Sequence, residues 1–149
     1  MSFERSRAVA GVLLGLAAAA RPAPGQGTAD TATRSVAAGV YTAVEARAGE
    51  AVFRRVCLEC HATGQFHDAA FQRSWTGRTA RELFELIRTQ MPQDNPGRLR
   101  RDEYAAVLAY ILELNGCPPS DTALGSDDAA LRRVRLEFKP SAPPPPPNQ

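Results

Sequence analysis

Residues 57–64 read CLECHATG. Two thiols, Cys57 and Cys60, sit three positions apart, and the imidazole of His61 follows at once. Upstream, Gly49, Val52, Phe53, Val56 and Cys57 recur at three- and four-residue steps. That spacing puts them on one face of a helix that runs straight into the first cysteine. A helix is therefore expected to begin near Tyr41 or Glu45 and to deliver the cysteines at its C-terminal end.

Three chemistries use such a cluster. A redox dithiol wants its C-x-x-C at a helix start within a βαβ pattern; here the cysteines close a helix and no strand signal flanks them. A structural zinc site needs four ligands. Cys57, Cys60 and His61 supply three, with Cys117 or His67 as a fourth, but adjacent Cys60 and His61 fit one tetrahedron poorly and no second ligand pair follows. The third chemistry is covalent haem attachment, whose signature is C-x-x-C-H. Each thiol adds to one vinyl group on the porphyrin edge, and the next residue places an imidazole under the iron. A six-coordinate haem then needs a second axial ligand, usually Met or His in electron carriers. Met1 leaves with a leader, so Met91 is the one methionine of the mature chain. It stands in QMPQDNPGRL (90–99), whose two prolines and glycine mark a loop. His67, six residues from His61, is tethered near the proximal side and reads as an exposed loop residue.

The remaining chain organises around this cluster. Arg5 and Arg7 precede an apolar run from Ala8 to Ala20, and small residues and prolines follow. This is the layout of a secretory signal peptide, assigned to residues 1–25. The run is about 13 residues, against about 20 for a membrane span, so no transmembrane segment is expected in the mature chain. QGTADTATRSVAAGV (26–40) reads as a flexible linker, residues 41–138 as one domain with a C-terminal extension, and 139–149 as a disordered proline-rich tail. HATGQFHDAAFQRSW (61–75) shows no sustained period and reads as loop. Thr79 with Glu82 forms a capping box before a helix carrying Leu83, Phe84, Leu86 and Ile87. Tyr104, Val107, Leu108, Ile111 and Leu112 make the stripe of a last strong helix, about 102–115, ended by Gly116 and Pro118. Arg100 is a poor N-cap. A short helix is expected over 127–136. No stretch reads as a strand, so the fold class is all-α.

The chain carries 18 basic and 16 acidic residues, and Lys139 is the only lysine. Losing Arg5, Arg7, Arg21 and Glu4 with the leader balances the two signs. With no basic stripe and no interleaved aromatics, a nucleic-acid partner is excluded.

Taken in order, these motifs resemble a class I c-type cytochrome over residues 41–118. GEAVFRRVCLECH (49–61) resembles that family's N-terminal helix, with a glycine and an aromatic four apart at Gly49 and Phe53. YAAVLAYILELNG (104–116) resembles its C-terminal helix, with Ala109 before Tyr110. SWTGRTARELFELI (74–87) and MPQDNPG (91–97) resemble the helix and loop that carry the distal methionine. The departures are Arg100, where a capping serine is common, and Cys117, where an apolar residue is usual. The resemblance implies the cytochrome c fold, with N- and C-terminal helices crossing around a covalently bound haem. Gly49 would allow the close approach, with Phe53, Val107 and Tyr110 around the crossing.

The resemblance further implies one haem c held by Cys57 and Cys60, with His61 and Met91 as the iron's two ligands. It implies a backbone carbonyl on the second His61 nitrogen and a haem propionate bonded to the indole of Trp75. Arg78 and Arg81 are weaker candidates for a propionate, and Leu83, Leu86 and Ile87 for the pocket wall. The function implied is one-electron transfer in the periplasm, not catalysis. The chain is also similar to a bacterial subset of small cytochrome domains that often accompany periplasmic quinoprotein dehydrogenases. Its partners would be redox proteins, with such a dehydrogenase as donor and an oxidase or another cytochrome as acceptor. The alternative is a five-coordinate haem that binds a small ligand or reduces peroxide. Cys117, left without a haem role, reads as a buried small hydrophobe or an intermolecular disulfide partner.

Overall fold

The computed structural model describes residues 32–139. The expected leader, the first part of the expected linker and residues 140–149 of the tail lie outside them. The described chain is mainly helical: α1 (Ala43–Val52), α2 (Ala69–Trp75), α3 (Ala80–Gln90), α4 (Arg101–Leu114) and α5 (Asp128–Arg132). Two short strands, β1 (Arg34–Ser35) and β2 (Val134–Arg135), pair in parallel, with Arg34 opposite Val134.

α1 starts where Thr42 and Glu45 exchange bonds. The Thr42 hydroxyl accepts the Glu45 N–H at 3.2 Å, and the Glu45 carboxylate accepts the Thr42 N–H at 2.8 Å. This reciprocal box satisfies two donors that a helix start otherwise leaves open. The same carboxylate accepts the N–H groups of Leu124 and Gly125, which ties the C-terminal extension to the helix. Ala46, Gly49, Val52, Phe53 and Val56 are buried along one face, as the spacing predicts. After Val52 the helix widens into a π-helical turn, Phe53–Cys57, closed by Leu58 N–H on the Phe53 carbonyl at 3.1 Å.

That face packs against α4, and Gly49 is where the two backbones meet. A Cβ built on Gly49 would overlap the Ala106 carbonyl and come within 3.0 Å of the Tyr110 Cβ. Phe53 and Tyr110 meet edge to face beside the crossing, with ring centroids 5.3 Å apart. α3 begins at the Thr79–Glu82 box, as expected. α4 starts with half a box: Glu103 accepts the Arg100 N–H at 3.0 Å, while Arg100, having only donors, accepts nothing. It ends in a Schellman turn, with Gly116 at φ +72° and the Cys117 N–H on the Leu112 carbonyl.

Four expectations need correction. The segment after His61 is not all loop. Asp68 caps α2 by accepting the Phe71 N–H at 2.7 Å, and seven residues are too few to show a helical period. The linker does not extend to residue 40: Val36 and Val40 are fully buried in the core, and Ser35 caps a short 3-10 turn. The helix expected over 127–136 stops at Arg132. Beyond it Val134, Leu136 and Phe138 are buried in alternation, which is strand periodicity. Strands therefore exist, though so short that the fold class remains all-α.

Candidate functional site

The π-helical turn after α1, together with α3, α4 and the segments between them, encloses a cavity of about 910 Å³. All five residues singled out in the sequence line it: Cys57, Cys60, His61, Trp75 and Met91. Phe53 and Val56 come from the π-helical turn after α1, Leu83, Leu86 and Ile87 from α3, and Tyr104, Val107 and Ile111 from α4. The remaining wall includes Phe66, Phe71 and Leu99. A large apolar hollow with a few converging polar atoms is the usual form of a cofactor site, and its size falls in the upper part of the roughly 300–1,000 Å³ such sites occupy.

The π-helical turn places Cys57, half-buried, at the cavity wall. Two further bonds wind the chain back on it: Cys60 N–H and His61 N–H both donate to the Cys57 carbonyl, at 3.2 and 3.0 Å. Burial pushes the Cys57 thiol up to about 11. A redox dithiol needs the reverse, a thiol brought down by a helix N-terminus or a neighbouring cation. Cys57 instead closes a helix, at the negative end of its dipole. Nor do the cysteines and His61 form a zinc cage: among the described residues no three His, Cys, Asp or Glu side chains are grouped to hold a metal ion.

His61 is half-buried, and its ring meets Phe66 edge to face at 5.3 Å. Its Nδ1 lies 3.2 Å from Gln65 Oε1. The expected backbone carbonyl is thus replaced by a side chain, because the 3-10 turn Thr63–Phe66 brings Gln65 back over His61. His67 is exposed and does not line the cavity.

Met91 leaves α3 in extended backbone. Its N–H donates to the Ile87 carbonyl at 2.9 Å, and its carbonyl accepts from the Tyr104 hydroxyl at 2.8 Å. The backbone is therefore fixed on both sides of a side chain that lines the cavity. Trp75 is buried beside Phe71, and the Arg78 guanidinium stacks on its ring at 4.6 Å. Arg78 also pairs with Glu82, and Arg81 with Asp128. Neither arginine lines the cavity. Cys117 is buried, with its carbonyl bonded by the Tyr41 hydroxyl at 2.6 Å, so it serves as a small core residue.

Several contributors escaped the sequence reading. Phe66 and Phe71 fell in a stretch read as loop. Tyr104 read as helix stripe, and its hydroxyl's partner is set only by the fold. Asn115 donates to the Phe66 carbonyl at 2.7 Å across 49 positions, a separation no local pattern reveals.

An all-α fold with helices crossed at Gly49, enclosing an apolar hollow with C-x-x-C-H on one wall, is that of a c-type cytochrome. Residues 44–111 match the family model described as cytochrome c oxidase, cbb3-type, subunit III, which makes this stretch a c-type cytochrome domain. No curated protein and no solved structure matches the chain. The family implies covalently bound haem c and electron transfer. The donor set suits that group: two thiols for the covalent links, and an imidazole and a thioether for iron. No helix among the described residues is long and apolar enough to cross a membrane.

Proposed function

We propose that this chain is an exported monohaem c-type cytochrome that carries one electron at a time. The observation that carries this reading is that the CLECH stretch (57–61), through Cys57, Cys60 and His61, and the distant Met91 line one cavity. Haem c supplies a one-electron ferric/ferrous couple. Cys57 and Cys60 would hold it through thioethers, and His61 and Met91 would be the two protein ligands to its iron. A thioether is a soft donor that favours ferrous iron, so Met91 raises the potential. With two protein ligands for the iron, the site would suit electron transfer rather than substrate chemistry. Trp75, buried in the wall, would be the donor for a propionate.

Leu86 is 37% exposed while lining the cavity, so the pocket reaches the surface there. Leu58, between the two cysteines and 42% exposed, adds a second apolar contact for a redox partner. The donor proposed is a periplasmic dehydrogenase and the acceptor an oxidase or another cytochrome. Residues 1–25, with the layout of a cleaved leader, support export to the periplasm, where c-type cytochrome domains typically work.

The test is an absorption spectrum of the protein from a host competent in haem attachment. The expected result is haem that stays with the chain on acid-acetone extraction, a c-type reduced band, and a near-infrared sulfur-to-iron band in the native oxidised protein. A chain recovered without haem would overturn the reading.

A further inference from the structure

His61 has two ring nitrogens, and the structure shows what one of them does. Nδ1 and the Ala62 N–H both lie against Gln65 Oε1, at 3.2 and 3.3 Å. A backbone N–H can only donate, so it fixes which end of the Gln65 carboxamide is oxygen. That oxygen can only accept. Nδ1 must therefore carry a proton, and in the neutral ring this leaves the lone pair on Nε2.

The arrangement is held from several sides. Gln65 N–H donates to the Ala62 carbonyl at 3.1 Å, which closes the turn. Asn115 fixes the next residue through the Phe66 carbonyl, and the Phe66 ring stands edge-on to the imidazole. Gln65 itself is exposed and does not line the cavity, so changing its amide opens no hole in the core.

We propose that Gln65 is a positioning residue for His61: its carboxamide sets the tautomer and basicity of the imidazole, and through them the reduction potential. This rests on the haem reading above. A partner on the second nitrogen orients a ligating histidine and raises its basicity. A stronger acceptor draws the Nδ1 proton further and makes Nε2 more electron-rich, which favours ferric iron. Side-chain chemistry at position 65 therefore grades the potential in a way a backbone carbonyl would not allow.

The experiment is a potentiometric titration of the full-length, haem-loaded protein as wild type, Gln65→Glu and Gln65→Leu. The potential is expected to fall in Gln65→Glu and to rise in Gln65→Leu. In Gln65→Glu the fall should develop as pH rises through the new carboxylate's titration, a signature that stands even if the Leu variant does not fold. Nitrogen-15 NMR of the reduced protein should show a His61 Nδ1–H protected from exchange in wild type and Gln65→Glu, and lost in Gln65→Leu. A merely structural role would lower thermal stability without splitting the potentials in opposite directions. Fully haem-loaded variants with the wild-type potential, or shifts of one sign in both, would overturn the role of Gln65 and leave the electron-carrier reading intact. A wild-type chain without covalent haem would overturn both.

Discussion

Gly49 in α1 and Ala106 in α4 leave no room for a side chain between them: a Cβ on Gly49 would overlap the Ala106 carbonyl. Two effects oppose each other in Gly49→Ala. Helix propensity favours alanine by about 1 kcal/mol. Overpacking costs typically 1–3 kcal/mol and sometimes more, and a rigid backbone carbonyl cannot rotate aside as a side chain can. An overlap this deep with backbone lies at or above the top of that range, so the clash wins, with a net destabilisation of about 2 kcal/mol or more expected. Gly64→Ala is the control, since a Cβ there meets nothing within 4 Å. Urea denaturation of the two variants against wild type checks the contrast; equal midpoints would show that the crossing can spread without cost.

What was legible in the sequence followed from local rules. C-x-x-C-H, Met91 in its proline-rich loop and the Thr79–Glu82 box each declare themselves within a few residues, and the α4 stripe within two turns. Strand β2 left only a trace: VRLEF (134–138) alternates apolar and polar, but its first three residues also continue the helical pattern expected over 127–136. α2 was harder, since Asp68 is its only start signal and Phe71 with Trp75 its only apolar pair. The burial of Val36 and Val40 and the placing of Gln65 on His61 follow from tertiary packing and turn geometry, which composition does not encode. The small residues around Val36 and Val40 read as linker because nothing nearby shows what they pack against.

Asn115 joins three elements through one carboxamide. Its Nδ2 donates to the carbonyls of Phe66 and Ile111 at 2.7 and 2.8 Å, and its Oδ1 accepts from Gln72 Nε2 at 3.2 Å. Asn115→Ala leaves the half-buried bonds unmade, at a cost of about 1–3 kcal/mol. Asn115→Asp is expected to be worse above the carboxylate's titration, because a carboxylate facing two carbonyl oxygens repels them. Denaturation midpoints at neutral pH rank the two. A smaller loss for Asp than for Ala would mean that the Phe66 bond does not hold the turn beside His61.

Glu82 sets an acid limb of stability. The Thr79 backbone N–H, then the Thr79 hydroxyl and Arg78, hold its carboxyl down at about 2. A carboxylate depressed in the fold stabilises it above the unfolded value, and that stability drains as pH falls through the folded value. The contribution should therefore be complete above about pH 4.5 and decline toward pH 2. Its size is reduced by solvent, since the side chain is 40% exposed. Glu82→Gln should flatten this part of the curve. Thr79→Ala should cost about 1 kcal/mol at neutral pH as a lost cap, yet keep much of the acid slope, because the backbone donor remains. Urea midpoints of wild type and both variants at neutral pH and in the acid range separate the two contributions. An unchanged acid slope in Glu82→Gln would assign the limb to other carboxylates.

Met91→Ala separates ligation from folding. The backbone of residue 91 keeps its bonds to Ile87 and Tyr104 whatever the side chain, and the methionine is only half-buried, so the variant should fold and load haem. What it loses is the thioether. The near-infrared sulfur-to-iron band should vanish, the potential should fall with the loss of a donor that favours ferrous iron, and added imidazole should bind where it does not bind wild type. Tyr104→Phe should do less: it frees the Met91 carbonyl without removing the sulfur, so the band persists while imidazole competes more readily. A wild-type protein that lacks the band and binds imidazole as freely as Met91→Ala would place the iron in the five-coordinate class, and the chain among ligand-binding rather than electron-carrying haem proteins.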